Sequence, residues 1–180
     1  MKYIRIPQDR IGVLIGPQGK TKEQIEQQAR IAIDVDSKLG EVRFNEQALE
    51  SPLLTFQIEN VIRAIGRGFT PEHALLLFND EYDLIIFNIH DYVGKKPSHV
   101  KRLKSRIIGT QGKTRTILEE VTNSYISIYG HTVAIIGSII EIDITKKAID
   151  KLLSGAKHAT VYKFIEKQMK KLQFHRPSEF

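Results

Sequence analysis

The stretch IIGTQGKTRT, residues 107–116, offers two ways of holding a phosphate. Its GKT matches the end of a nucleotide-triphosphate loop, while its G-x-x-G matches a tight turn that clamps a nucleic-acid backbone. The triphosphate loop requires G-x-x-x-x-G-K-[ST], because a long glycine-bounded turn has to wrap the β-phosphate with several amides. Five positions before Gly112 stands Ile107, and five before Gly19, in the related stretch LIGPQGKTK (14–22), stands Leu14. Both copies lack the first glycine. That loop should also leave a strand, whereas the residues before Gly109 form a Lys/Arg-rich segment with helical character. The spacing therefore favours a clamp on a chain over a nucleotide pocket.

The resemblance between the two stretches extends well beyond the glycines. IGVLIGPQGKTKEQIEQQARIAIDV (11–35) and KSRIIGTQGKTRTILEEVTNSYISI (104–128) align at an offset of 93 residues. Gly16 and Gly19 then meet Gly109 and Gly112, Lys20 and Thr21 meet Lys113 and Thr114, and Lys22 meets Arg115. Further along, Ile25 meets Leu118, Glu26 meets Glu119 and Ile33 meets Ile126. An internal repeat of this length reads as two copies of one folded unit.

Within each copy the same order of elements is predicted. KYIRI alternates as a strand, Asp9 is the expected N-cap of a short helix through Ile15, and GPQG breaks the chain before a second helix from Lys20 to about Arg30. IAIDV and EVRF read as strands, and Ser51-Pro52 opens a helix through LLTFQIENVIRAI. In the second copy DLIIFNI, Ser98–Arg106, Lys113–Thr122, YISIY with TVAII, and Ser138–Leu153 repeat the order βααββα. FTPEHALLLF predicts an additional helix with Thr70 as N-cap, and TVYKFIEKQMKKLQF a C-terminal one docked through Val161, Phe164, Ile165, Met169 and Leu172. The expected boundaries are 1–68, a linking helix at 69–81, 82–156, and a C-terminal helix and tail at 157–180.

Charge separates the copies. Residues 1–90 carry 10 Lys/Arg against 13 Asp/Glu, a balance of −3, and residues 91–180 carry 17 against 8, or +9. Eight of the basic residues (Lys95, Lys96, Lys101, Arg102, Lys104, Arg106, Lys113 and Arg115) lie between 95 and 115, where there is no acid. Such a run is either a solvated surface or a footprint for a polyanion, and its position on the glycine loop favours the latter. There is no cysteine, no apolar run near the roughly 18–20 residues that span a bilayer, and no signal-like N-terminus, which together predict a cytoplasmic protein that does not enter membranes.

A G-x-x-G between two helices, followed by a strand and present twice, is the pattern of KH domains, whose loop clamps about four single-stranded nucleotides. The chain resembles an α+β protein of two tandem type I KH domains, each with a three-stranded antiparallel sheet packed on three helices, plus linking and C-terminal helices. Glycine lets the backbone approach phosphates closely, and the helix that follows offers its positive end. In the second copy the expected RNA-binding residues are Lys104, Arg106, Ile107, Ile108, Gly109, Thr110, Gln111, Gly112, Lys113, Arg115 and Ile126. Lys113 and Thr114 would begin the helix that faces the phosphates. Ile107, Ile108, Ile117 and Ile126 would floor an apolar groove, with ordinary core packing as the alternative. In the first copy the counterparts are Ile15, Gly16, Pro17, Gln18, Gly19, Lys20 and Lys22, in a more acidic unit that would serve as a scaffold or docking face as readily as an RNA site.

GTQGKTRTILEEVTNSYISIYGHTVAIIGS and AIDKLLSGAKHATVYKFIE resemble, more narrowly, the C-terminal KH domain of the small-subunit ribosome-assembly family known as partner-of-Nob or Dim. The resemblance implies binding to the single-stranded 3′ region of small-subunit ribosomal RNA during late maturation, close to where the Nob-type endonuclease cuts. For archaeal members it also implies association with the α subunit of translation initiation factor two. Eukaryotic members tend to have a degenerate first loop, so the intact GPQG points to the archaeal type.

No catalytic set is found in the sequence. The six histidines lack H-x-x-x-H spacing, and Asp80, Glu81 and Asp83 read as solvated acids, so neither an enzyme nor a metal or other cofactor is expected. Two other functions fit a tandem KH chain: a KH subunit of an exosome-like RNA-degrading complex, and a protein scaffold with vestigial loops. Absence of a strand-rich nucleic-acid barrel counts against the first, and the basic loop against the second.

Overall fold

Alternation along β1 (Lys2–Arg5), β2 (Ile33–Asp36) and β3 (Glu41–Phe44) turns Ile4, Ile33, Val42 and Phe44 to one face, where all four are buried. The strands form a sheet in the order β1-β3-β2, both pairings antiparallel, with Ile4 opposite Val42 and Ile33 opposite Phe44. The other face is charged. Arg43 lies between Tyr3 and Asp34 in register, with its guanidinium 5.8 Å from the Tyr3 ring centre, and Glu41 takes Arg5 and Arg43 at 3.0 Å each.

Three helices, α1 (Gln8–Ile15), α2 (Lys20–Ala29) and α3 (Pro52–Gly66), supply the other half of this core. Ile11, Leu14, Ile25, Ile58, Ile62 and Ile65 are buried, and each contributes about 1.5–3 kcal/mol of burial free energy. Ser51 Oγ caps α3 at Leu54 N, and Pro52 sits where a helix has no amide to lose. The expected cap of α1 differs: Pro7 holds the N-cap position with φ −56° and ψ 140°, and Asp9 lies in the first turn. The segment expected to link the copies forms α4 (Pro71–Leu75), capped by Thr70, and a 3₁₀ turn at Leu76–Phe78. Both pack on α3, and Gln57 Nε2 ties the turn down by donating to Phe78 O at 3.0 Å and to Asp80 Oδ1 at 2.7 Å.

The computed structural model describes residues 1–175, which divide into two compact units, Met1–Leu84 and the residues from Ile85 onward. The second unit repeats the first. Its strands β4 (Asp83–Asn88), β5 (Tyr125–Tyr129) and β6 (Thr132–Gly137) lie in the order β4-β6-β5, and β5 pairs antiparallel to β6. A four-residue helix absent from the sequence-based expectation, α5 (His90–Val93), precedes α6 (Pro97–Ile108), α7 (Lys113–Thr122) and α8 (Ile139–Leu153). Ser138 and Glu141 close a capping box on α8, each side chain bonded to the other's backbone amide. The last helix, α9 (His158–His175), buries Val161 and Ile165 in the same core as Leu103, Ile107, Leu118 and Ile126. Among the described residues no helix is long and apolar enough to cross a membrane.

In both units one arginine ties the first full helix to the last helix of the βααββα set. Arg10 donates from Nε to Ile65 O and from Nη2 to Phe69 O, both at 2.7 Å. Arg106 donates from Nε to Leu152 O at 2.8 Å and from Nη2 to Ala156 O. The acceptors correspond: each pair is the next-to-last carbonyl of the helix, in α3 or α8, and the carbonyl three residues beyond its end. Helix C-termini carry unpaired carbonyls and partial negative charge, which a guanidinium satisfies on both counts.

Candidate nucleic-acid interface

The loop after α6 is a turn that only glycine can open. Gly109 has φ 73° and ψ 176°, Gln111 φ 53° and ψ 31°, and Gly112 φ 75° and ψ 9°, before the chain enters α7 at Lys113. A Cβ on Gly109 would fall 2.7 Å from Thr114 N and 2.8 Å from its Cβ, so the left-handed conformation and the close approach both demand glycine. At Gly112 the same construction meets nothing within 4 Å, and only the dihedral selects glycine there. The turn is closed from within, Gly112 N donating to Gly109 O at 3.2 Å and Lys113 N to Thr110 O.

This arrangement explains the GKT. Lys113 and Thr114 begin α7 as expected, with Lys113 exposed at its first position and Thr114 4% exposed and turned inward. Thr114 packs behind Gly109 and accepts a hydrogen bond from Tyr162 Oη of α9 at 3.2 Å. Thr110 and Gln111 form the exposed tip.

A cleft of about 490 Å³ runs along α6 from this loop. Lys101, Lys104, Ser105 and Ile108 form one wall, and Gly130 and His131 of the β5–β6 turn the other. His90 stacks on His131 at that end, ring centres 4.5 Å apart and planes within 9°. Neither histidine carries a sequence signal, since they lie far apart in the chain and meet only through hairpin closure. Among the described residues, Lys101, Lys104 and Lys113 form no ion pair, so their charge is available to an anion.

The remaining expected residues serve other ends. Ile107 and Ile126 are 0% and 1% exposed and belong to the core, leaving Ile108 and Ile117 as the half-buried pair. The guanidinium of Arg106 is committed to the α8 carbonyls, and Arg115 pairs with Glu119 at 3.4 Å. Asp80 is bonded to Gln57, and Asp83 accepts from Leu84 N. Among the described residues no group of three or more metal-ligating side chains is gathered in one place.

In the first unit the corresponding loop has nearly the same backbone: Gly16 at φ 74° and ψ 174°, Gln18 at 54° and 25°, and Gly19 at 78° and 7°. Pro17, Gln18 and Lys20 are exposed, Ile15 is half-buried, and Thr21 is buried like Thr114. The surroundings differ. Lys22 is paired with Glu26 at 3.3 Å, and the one arginine of α1 is spent on α3.

Two copies of βααββα with antiparallel sheets and glycine loops between their first two helices define a tandem KH-domain protein. Residues 84–170 match the family model described as eukaryotic type KH-domain (KH-domain type I), and residues 1–48 match the KH domain model. A KH domain-containing protein of Methanocaldococcus jannaschii is 40% identical over 173 residues, covering 96% of this chain and 76% of that one. The RNA-binding protein PNO1 of Oryzias latipes is 28% identical over 136 residues, 75% of this chain and 56% of that one. Among solved structures, the a/eIF2alpha-aDim2p-rRNA complex from Pyrococcus horikoshii contains a chain with 43% identity and a TM-score of 0.86, covering 94% of each chain. The chain belongs to the PNO1/Dim2 family of KH proteins.

Proposed function

We propose that this chain holds single-stranded RNA at the loop Gly109–Gly112 and along the α6 cleft, and that the RNA is the 3′ region of small-subunit ribosomal RNA during ribosome assembly in the cytoplasm. The observation that carries the reading is an exposed glycine turn beside a cleft whose lysines, among the described residues, form no ion pair. Phosphates approach the turn backbone and Lys113, while bases lie against Ile108 and the half-polar wall beyond it. The role is binding, without catalysis. The relative crystallised with rRNA and a/eIF2alpha supports the ribosomal assignment and an association with the α subunit of initiation factor two. Work beside a Nob-type endonuclease rests on the family resemblance.

The first unit's loop has the shape for the same task, and its smaller unpaired charge makes it the weaker site. The test is the double variant Thr110→Asp/Gln111→Asp, which puts two carboxylates where a phosphate sits. RNA affinity should fall about a hundredfold at unchanged circular dichroism, since like charges in contact cost several kcal/mol. Pro17→Asp/Gln18→Asp should cost less. Unchanged affinity in the first variant would overturn the clamp reading.

A further inference from the structure

A second cleft, of about 460 Å³, lies on the neighbouring face of α6. Arg102, Ser105, Gly109, Thr110, Lys113 and His158 line it, and among the described residues no carboxylate does. Ser105 belongs to both clefts and marks the ridge between them, while Gly109, Thr110 and Lys113 are shared with the clamp loop. The far wall is the start of α9, fixed by the buried Val161 and by Tyr162 bonded to Thr114. His158 Nε2 bonds Arg106 O at 2.9 Å, which holds its ring at the cleft and makes Nε2 the donor. Arg102 is exposed and, among the described residues, forms no ion pair.

From this geometry we infer that the second cleft is an RNA subsite: a strand clamped at Gly109–Gly112 continues over the loop, and Arg102, with Lys113, binds the phosphates of the nucleotides beyond the clamped four. The inference rests on the clamp reading above. A cation on each side of the loop leaves a continuous positive track from the first cleft into the second, and the phosphodiester chain is the ligand whose charges repeat along such a track. The subsite adds length to the footprint, with the Arg102 guanidinium and the Lys113 ammonium supplying its contacts to phosphate.

The experiment compares three RNAs: a tetranucleotide selected on the wild-type chain from a fully randomised pool, and the same four nucleotides extended by four at the 5′ or the 3′ end. Wild type should bind one of the extended strands about fivefold or more tighter than the tetranucleotide, with a steeper salt dependence. Arg102→Gln should abolish most of that gain, lower the salt slope for the extended strand by about 0.7, and leave tetranucleotide affinity unchanged. Lys96→Gln, an equal loss of charge in the same basic run but outside both clefts, should preserve the gain. If neither extension helps, or Lys96→Gln acts as Arg102→Gln does, the second cleft is not a subsite while the clamp reading stands. If wild type selects no RNA from the pool, the clamp reading falls and this inference with it.

Discussion

Glu119 accepts the backbone amide of Ile126 at 2.7 Å, and in the first unit Glu26 accepts that of Ile33 at the same distance. Both amides belong to edge strands, β5 and β2, so each carboxylate covers a donor that would otherwise face outward. A basic residue four positions earlier in the helix, Arg115 or Lys22, pairs with the same carboxylate. Replacing Glu119 by Ala should therefore destabilise the second unit by about 1–3 kcal/mol, and Glu119→Gln, which keeps an acceptor, by less than half as much. Urea unfolding of the two variants measures this. Equal losses would mean that the ion pair with Arg115, and not the amide, is what Glu119 contributes.

The two loop glycines should not tolerate alanine equally. Gly112→Ala meets no atom and costs only the left-handed conformation, about 1–2 kcal/mol. Gly109→Ala adds a collision with Thr114, backbone included, and should unfold at distinctly lower denaturant. A smaller effect at Gly109 than at Gly112 would contradict the packing of Thr114 behind the turn.

Arg106 and Lys104 sit two residues apart and should separate stability from binding. Arg106→Ala removes the donor to two α8-end carbonyls and should cost about 1.5–3 kcal/mol, with the salt dependence of RNA binding unchanged. Lys104→Ala should leave stability within about 0.5 kcal/mol and lower the salt slope by about 0.7. Denaturant midpoints and binding titrations at several salt concentrations decide both.

Acid should weaken the first unit through Glu41. Hydrogen bonds from Arg5, and then Arg43, hold its carboxyl below the ordinary carboxylate range. A depressed folded-state pKa means that this stabilisation is present above the unfolded value and is lost as the pH falls through the folded one. Stability followed from neutral pH downward should drop in the acid range, and Glu41→Gln should show a shallower drop. Parallel curves for the two proteins would rule this contribution out.

How far the sequence carried these conclusions depended on the range of the interaction. Glycine spacing is local and has one geometric solution, so the loops and the repeat were legible, as were the cap at Thr70 and the helix starts at Ser51-Pro52 and Ser138. Ile107 and Ile108 show the limit: both are apolar neighbours at a helix end, and only packing decides that the first is core and the second lines the cleft. Arg106 shows another, because the carbonyls that claim it lie 46 and 50 residues away. A basic residue beside a phosphate loop reads as a ligand contact until its acceptor is seen. The α5 turn and the His90–His131 stack depend on where the hairpin closes, which no periodicity encodes.

The arginine ties carry a lesson about descent. At the repeat's offset of 93, Arg10 falls on Leu103 and Arg106 on Val13, so the two copies fasten equivalent carbonyls from different turns of the helix. The copies have kept the fastening while moving the residue that makes it. They are not exchangeable parts: a chimera carrying the α6 sequence in place of α1 would bring its arginine to position 13, three residues from where α3 is built to receive it. Homology modelling of one half on the other would misplace the same bond.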